Sequence, residues 1–322
     1  MPGQRLPPPF EHLTTQAIPA GLELGTHMLQ YDLVVSTELN DPIGAAIVAG
    51  EWALSSALLW LLACLRPGDA VLDLGAHFGS FAIPAACLGA NVTAVEGSAV
   101  NAAVLRAACR RNALENVVAV ETVVTARGGP VDFVDLGPYG TVATEDIGRS
   151  NGYPTVGVES QRVDDLAGGP FTWAKVDIEG LEASVIHGNS TTFRGLRGMA
   201  IESNGYMLHH HGSSPADLVK AIEAIEAVGM TVFEVFPGIL RPLFHPVLQP
   251  ETIIDYVAVR GDPPLPPGWE VSHGRGRQEL LQRLDVESRH WVEEHRSYAR
   301  RTQEGLRRSL RRELKRLTEP EL

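Results

Sequence analysis

At 322 residues, 44% hydrophobic and with 32 glycines, the chain is long enough to bury one α/β core and still carry an appended segment, which excludes a disordered or collagen-like protein. Its 27 basic and 39 acidic side chains leave a net charge of −12, too acidic for a body that grips phosphate backbones. The charge is uneven: from His273 to Leu322 there are 13 basic and 9 acidic side chains, so an acidic globule carries an Arg-rich tail.

Residues 1–40 are proline-punctuated and weakly patterned, and they read as a lid or wrap on the core. The opening MPGQRLPPPFEHL has neither a basic nor an apolar signal region, so a secretory leader is not expected. Asn40, Asp41 and Pro42 start a helix predicted over Pro42 to Leu65; its charge-free part, Trp52 to Leu65, is short for a transmembrane span. Cys64, Cys87 and Cys109 lack metal-ligand spacing and read as buried free thiols of a cytoplasmic protein.

After the stop signal Arg66-Pro67-Gly68-Asp69, strands and helices alternate. Strands are predicted over Ala70 to Leu74, Asn91 to Val95 and Val117 to Val124, with helices over Gly79 to Leu88 and Asn101 to Ala113 between them. Pro130 to Thr155 is turn-rich, with a hairpin around VDFVDL. Next come a strand over Thr172 to Ile178, a helix over Leu181 to His187, a strand over Gly198 to Ser203 and a helix over Pro215 to Val228. Thr231 to Phe236 and Ile253 to Val259 have no crossover helix between them and suit an antiparallel edge pair on a mostly parallel sheet. The division expected is an N-terminal wrap (1–40), a ligand-binding body (41–260), a Pro-rich linker (261–275) and a helical tail (276–322). The sparse apolar stripe of that tail fits packing on a neighbour or a homo-oligomer contact better than a polyanion contact, because nearby Glu balances its Arg.

The chemistry concentrates in Val71-Leu72-Asp73-Leu74-Gly75-Ala76-His77-Phe78-Gly79-Ser80. An apolar strand delivers Asp73 to its carboxyl end, and two glycines bracket the turn into a helix. Seventeen residues after Gly79 the second strand ends in Glu96, where an α/β nucleotide site puts a carboxylate on ribose hydroxyls. The dinucleotide fingerprint needs a middle glycine for its pyrophosphate, and GAHFG has His77 there. An acid two residues ahead of the first glycine favours instead a ligand with a positive centre, such as the sulfonium of S-adenosyl-L-methionine.

On these residues the chain resembles the FkbM family of S-adenosylmethionine-dependent methyltransferases. The resemblance is carried by DPIGAAIVAGEW, LRPGDAVLDLGAHFGSFAIPAA, VTAVEGS, NVVAVETVVT and AKVDIEGLEASVIHG, in that order and spacing. It implies a class I methyltransferase Rossmann-like sheet of order 3-2-1-4-5-7-6 over roughly residues 40–260, and methyl transfer to an oxygen, occasionally a nitrogen, of a sugar or natural-product acceptor. Two positions depart from the family pattern: Gly97-Ser98 stand where Glu96 is commonly followed by Pro, and His77 stands where Asn is common.

The residues expected at the cofactor are Asp73, the turn Gly75, Ala76, His77, Phe78, Gly79 and Ser80, then Glu96 and Gly97, with Thr122 and Val123 beside the adenine. Lys175, Asp177 and Glu179 alternate along the fourth strand, and Asp177 reaches its carboxyl end. Asp177 and Glu202 admit two readings. Either one of them removes the acceptor proton, the reading favoured here, or both hold magnesium with Asn204. His209, His210 and His211 are expected in a mobile loop over the acceptor, with His210 as an alternative base, while His187 and His245 read as helix-end and turn residues. The expected partner is a small-molecule or saccharide acceptor rather than nucleic acid. The alternatives are a non-catalytic chain that keeps the fold and assembles through its tail, and an NAD-dependent sugar-modifying oxidoreductase.

Overall fold

The computed structural model describes residues 4–6, 8, 10–24, 27–36, 41–51, 54–135, 140–144, 155–223, 229–243 and 253–272. His245 and the Arg-rich segment from 273, with the expectations placed on them, lie outside the described residues.

The described residues of the N-terminal stretch form an antiparallel sheet. Strands β1 (Gln4–Arg5), β2 (Thr14–Leu24) and β3 (His27–Ser36) pair in sequence, with Thr15 opposite Ser36 and Leu24 opposite His27. Leu33, Val34 and Val35 of β3 enter the core.

The single helix expected over 42–65 is two helices, α1 (Pro42–Val48) and α2 (Ser56–Cys64). Asp41 caps the first. Gly50, at φ +68°, turns the chain out of it, and Ser55 caps the second through Leu58 N–H. Helix α2 is apolar nearly all round because it lies sandwiched, with Trp60, Leu61 and Leu62 at most 1% exposed.

Then follow β4 (Ala70–Leu74), α3 (Ala82–Cys87), β5 (Asn91–Glu96), α4 (Ala99–Arg111) and β6 (Val117–Glu121). The end of α4 holds the N-terminal sheet: Asn112 exchanges hydrogen bonds of 2.8 Å with both main-chain groups of Asp32, and Arg111 reaches the Asp32 carboxylate at 2.7 Å. A small antiparallel sheet comes next, β7 (Gly129–Val134), β8 (Thr141–Val142) and β9 (Thr155–Ser160), in which β7 pairs with β8, as the hairpin expected around VDFVDL requires, and with β9 on its other side. The chain returns through β10 (Trp173–Val176), α5 (Glu182–Gly188), α6 (Ser190–Gly195), β11 (Gly198–Asn204), α7 (Gly205–His210) and α8 (Pro215–Glu223). It closes with β12 (Met230–Phe236), β13 (Ile239–Pro242), β14 (Ile253–Arg260) and β15 (Glu270–Val271).

Among the described residues the main sheet has nine strands, in the order β15-β13-β12-β14-β11-β10-β4-β5-β6. Counting β4, β5, β6, β10, β11, β12 and β14 as one to seven, the order is 3-2-1-4-5-7-6, with β14 antiparallel to both its neighbours. This is the Rossmann-like sheet of class I methyltransferases, extended at one edge by β13 and β15. The proline-rich stretch expected to be a linker is tied down at residues 261–272: Trp60 Nε1 donates to Pro264 O at 3.1 Å, and β15 pairs with β13.

Strand alternation sends Val71 and Trp173 into the core on the α2–α3 face, and Leu72, Ala174 and Val176 into the core on the α5–α8 face. Asp73 and Lys175 share the parity of the first set and stand opposite each other in the β4–β10 register, so two charged side chains meet inside the sheet's carboxyl end. There β4 also borders β5, and the sheet opens on both sides of it, the switch point at which open α/β sheets bind ligands.

Candidate functional site

Two adjoining cavities open at this switch point. The first, about 750 Å³ measured to its open mouth, is lined on one side by Gly75, His77, Ser80, Glu96 and Gly97. Thr122, Val123 and Phe133 line another side, with Asp177 and Glu179 closing it. The second, about 670 Å³, has an apolar wall of Leu54, Leu58 and Ile201 facing Ser55, Glu202 and Asp255. Ile43, Ser80, Lys175 and Asp177 border both.

The glycine turn is built by close approach. Gly75 N–H and Ala76 N–H both donate to Val95 O, at 3.0 and 2.9 Å, which folds the turn across β5. Gly75 is at φ +75°, and a Cβ there would sit 1.7 Å from Asp177 O, so only glycine lets the turn pass beneath the end of β10. The expected contacts at Ala76, Phe78 and Gly79 are corrected. Ala76 and Phe78 are buried in the core, a Cβ on Gly79 would strike Leu105 Cδ1 at 2.6 Å, and none of the three lines a cavity. These three positions seat the turn on α3 and α4.

Glu96 lies at the floor of the first cavity, 8% exposed. Oε2 accepts from His77 N–H at 2.7 Å and Oε1 from Ser98 N–H at 2.8 Å, which locks the carboxylate across the mouth of the turn. Burial pushes its pKa up, against the pull of the Ser98 and His77 groups. Ser98 also caps α4, so the residue after Gly97 is spent on structure. Thr122 Oγ1 donates toward Glu159 O at 3.3 Å, tying the adenine-side wall to β9.

Lys175 sits at the junction of the cavities, 5% exposed. Its ammonium donates to Gly75 O at 2.6 Å and lies 3.2 Å from Asp177 Oδ2 and 3.4 Å from Asp73 Oδ1. Burial disfavours its charge, but Asp177 and Asp73 outweigh burial and raise its pKa. Asp73 is fully buried; burial raises its pKa despite Lys175, and neither of its carboxylate oxygens has a hydrogen bond of good geometry. Lys175 therefore neutralises neighbours and does not face solvent.

Asp177, Glu179 and Glu202 bring carboxylate oxygens within 4.8 Å of one another. Glu179 is the residue that the sequence reading left out of its site. It follows Asp177 by two, holds φ +50° in a turn fixed by Glu182, whose carboxylate accepts from Ile178 N–H and Gly180 N–H at 2.9 and 3.1 Å, and turns its side chain inward. The only signal in the chain was the alternation Lys-Val-Asp-Ile-Glu. Burial, then the charge of Asp177, pushes Glu179 up to about 8. For Glu202 the charge of Asp177 and then burial act in the same direction. Asp255, opposite Glu202 in the β11–β14 register, is a further carboxylate raised by burial.

Asn204 is not the third member of the acidic set. Its Oδ1 caps α7 through Met207 N–H at 3.2 Å, and its Nδ2 donates to Glu179 Oε2 at 3.3 Å. The three histidines are not in a loop over the acceptor. His210 ends α7 with its ring 4.3 Å from that of Tyr206 and lines neither cavity, because the cap at Asn204 winds the segment into helix. His211 is turned inward, its Nε2 3.0 Å from Thr141 Oγ1, and burial pushes it down to about 4.

No family model matches the chain. A stretch of 116 residues is 40% identical to part of the 23S rRNA (uracil(1939)-C(5))-methyltransferase RlmD of Halomonas elongata, covering 35% of this chain and 23% of that protein. The chain thus spans under a quarter of that relative's length. Among solved structures, the methyltransferase FkbM of Methylobacillus flagellatus is 17% identical at a TM-score of 0.40, covering 67% of this chain and 59% of that one. A SAM-dependent O-methyltransferase of Thermotoga maritima is 11% identical at 0.39, covering 76% and 78%. No helix among the described residues is long and apolar enough to cross a membrane.

Proposed function

We propose that the chain transfers a methyl group from S-adenosylmethionine to a hydroxyl of a small polyhydroxyl acceptor, such as a sugar, glycan precursor or secondary metabolite. One observation carries the reading: two cavities meet at Lys175 and Asp177, one floored by Glu96 at the glycine turn and the other walled by Glu202 and Asp255. A donor and an acceptor seated in them face each other across the strand tips.

The residues of the first cavity fit the cofactor. Glu96 presents a fixed carboxylate for two ribose hydroxyls, Thr122 and Val123 with Phe133 give the adenine a wall, and Gly75, His77 and Ser80 border the space for the charged amino-acid end. Bound there, the sulfonium would supply an already activated methyl group. What remains for the protein is alignment and the removal of one proton. Asp177, paired with Lys175, orients the acceptor hydroxyl, and Glu202, made more basic by the charge of Asp177, accepts its proton. The acid-rich wall favours neutral or cationic acceptors over phosphorylated ones. The motifs that resemble the FkbM family support an enzyme of that type.

The Halomonas relative supports a second reading, methylation of an RNA carbon. A uracil carbon attacks only after a nucleophile has added to the ring, and neither cavity is lined by a cysteine among the described residues. Burial pushes Cys64 up to about 12 and Cys109 up to about 11, which leaves their thiols unreactive. The oxygen acceptor is the better fit.

Calorimetry with S-adenosylhomocysteine and with NAD tests the cofactor, and tritium transfer from labelled cofactor into saccharides and into RNA tests the acceptor. Binding of NAD alone, or label found only in RNA, would refute the proposal. Transfer should persist in a chelator; its loss would move the three carboxylates from base to magnesium ligands.

A further inference from the structure

Helix α1 is seven residues long, too short to be held by its own hydrogen bonds, and it owes its position to two anchors. Ile47 enters the core. At the other end Asp41 Oδ1 caps the helix, accepting from Ile43 N–H and Gly44 N–H at 2.8 and 3.1 Å, while Oδ2 lies 2.8 Å from Nε2 of His77 in the glycine turn. The pair is shielded, with side-chain exposures of 6% for Asp41 and 12% for His77. Although burial raises the Asp41 carboxyl, His77 and the two amides hold it below the usual range.

His77 spans two jobs. Its main-chain N–H donates to Glu96, and its ring reaches the cap of α1. It does so at φ +53°, a conformation that costs a residue with a Cβ energy and persists only where its surroundings impose it. One residue beyond the N1 position, Ile43 borders both cavities.

We infer that Asp41 and His77 are a positioning pair, which seats the first turn of α1 so that Ile43 forms the partition between the two cavities. The assignment of the first cavity to the cofactor comes from the proposed function; the seating of α1 stands without it. The turn that meets the donor is then mechanically joined to the wall that shapes the acceptor site, and loosening the pair opens the first cavity as well as the second.

Two substitutions remove the contact while keeping each partner's other task. His77→Asn retains the amide that Glu96 uses and tolerates the left-handed backbone, but is too short to reach Asp41. Asp41→Ser remains a helix cap and cannot reach His77. In the full chain, each single variant should release S-adenosylhomocysteine about 3- to 10-fold faster in stopped-flow, the loss expected of one polar contact. The double variant should be no faster than the faster single one, because both remove the same contact. Hydrogen exchange without ligand should quicken at the amides of residues 43–48 in both. Wild-type release rates in both singles, or multiplied effects in the double, overturn the partition. Unchanged exchange at 43–48 overturns the seating itself. Should the wild-type protein take up no S-adenosylhomocysteine while exchange still quickens in both variants, the cofactor assignment falls and the seating stands.

Discussion

Glu179→Gln should make the protein more stable in neutral and alkaline solution and leave it unchanged in acid. The Glu179 side chain is buried beside Asp177 and Glu182, so its carboxyl loses a proton in the folded state only near pH 8, against an ordinary value of 4.5. Between those values the folded chain holds a proton that the unfolded chain has released. The unfolded state therefore binds fewer protons, and stability falls as pH rises, beginning near 4.5 and levelling off above about 8. At about 1.4 kcal/mol per pH unit the ceiling on this loss is roughly 5 kcal/mol. Protonation of the neighbouring Glu202 relieves part of the same repulsion, so about half of that is the expected gain on substitution. Glutamine has nothing to ionise, and its carbonyl still accepts the hydrogen bond from Asn204. Urea denaturation of both proteins at intervals from pH 4.5 to 9 should show curves that coincide in acid and diverge upward. A difference that stays constant across the range would refute the assignment of a buried, proton-holding carboxyl to Glu179.

Other substitutions read separate parts of the site. Glu96→Ala should weaken S-adenosylhomocysteine by more than about 1 kcal/mol in calorimetry, through loss of charge-assisted hydrogen bonds; unchanged affinity would contradict the ribose role. Glu202→Gln should lower the transfer rate by about 10²- to 10⁴-fold and abolish its rise with pH, since only the deprotonated carboxyl acts as base. A surviving alkaline limb in a pH–rate profile would assign the proton to another group. Gly75→Ala should cost at least about 3 kcal/mol in chemical denaturation, because its Cβ would overlap Asp177 O, whereas Gly50→Ala, also at positive φ but with open space around it, should cost about 1 kcal/mol. Equal costs at the two positions would show that the turn relaxes.

Part of the site was legible because it is made by adjacent residues. The run AVLDL announces a strand buried on both faces, and the glycines that follow announce a turn of close approach; both lie at the places expected. Glu96, the last residue of β5, and Asp177, the residue after β10, could be placed for the same reason, because the strand ends are marked by a change from apolar to polar. His210 could not, since whether three histidines form a loop or a helix end turned on a cap supplied by Asn204. Nor could the N-terminal sheet, whose alternation is diluted by Pro19 and Gly21 and whose seat on α4 depends on a side chain 80 residues away.

Periodicity and turn chemistry, which act over a few residues, thus determined from sequence alone the alternating strands and helices, the antiparallel edge and the glycine turn. Tertiary structure alone decided which charges meet. Lys175 meets Asp73, Glu202 stands opposite Asp255, and Asp41 lies against His77 because strand register and helix packing bring together positions 36 to 102 residues apart. Those contacts set the pKa values and divide the cavity in two, and they arise from burial energies summed over the whole sheet, which no local window of the chain contains.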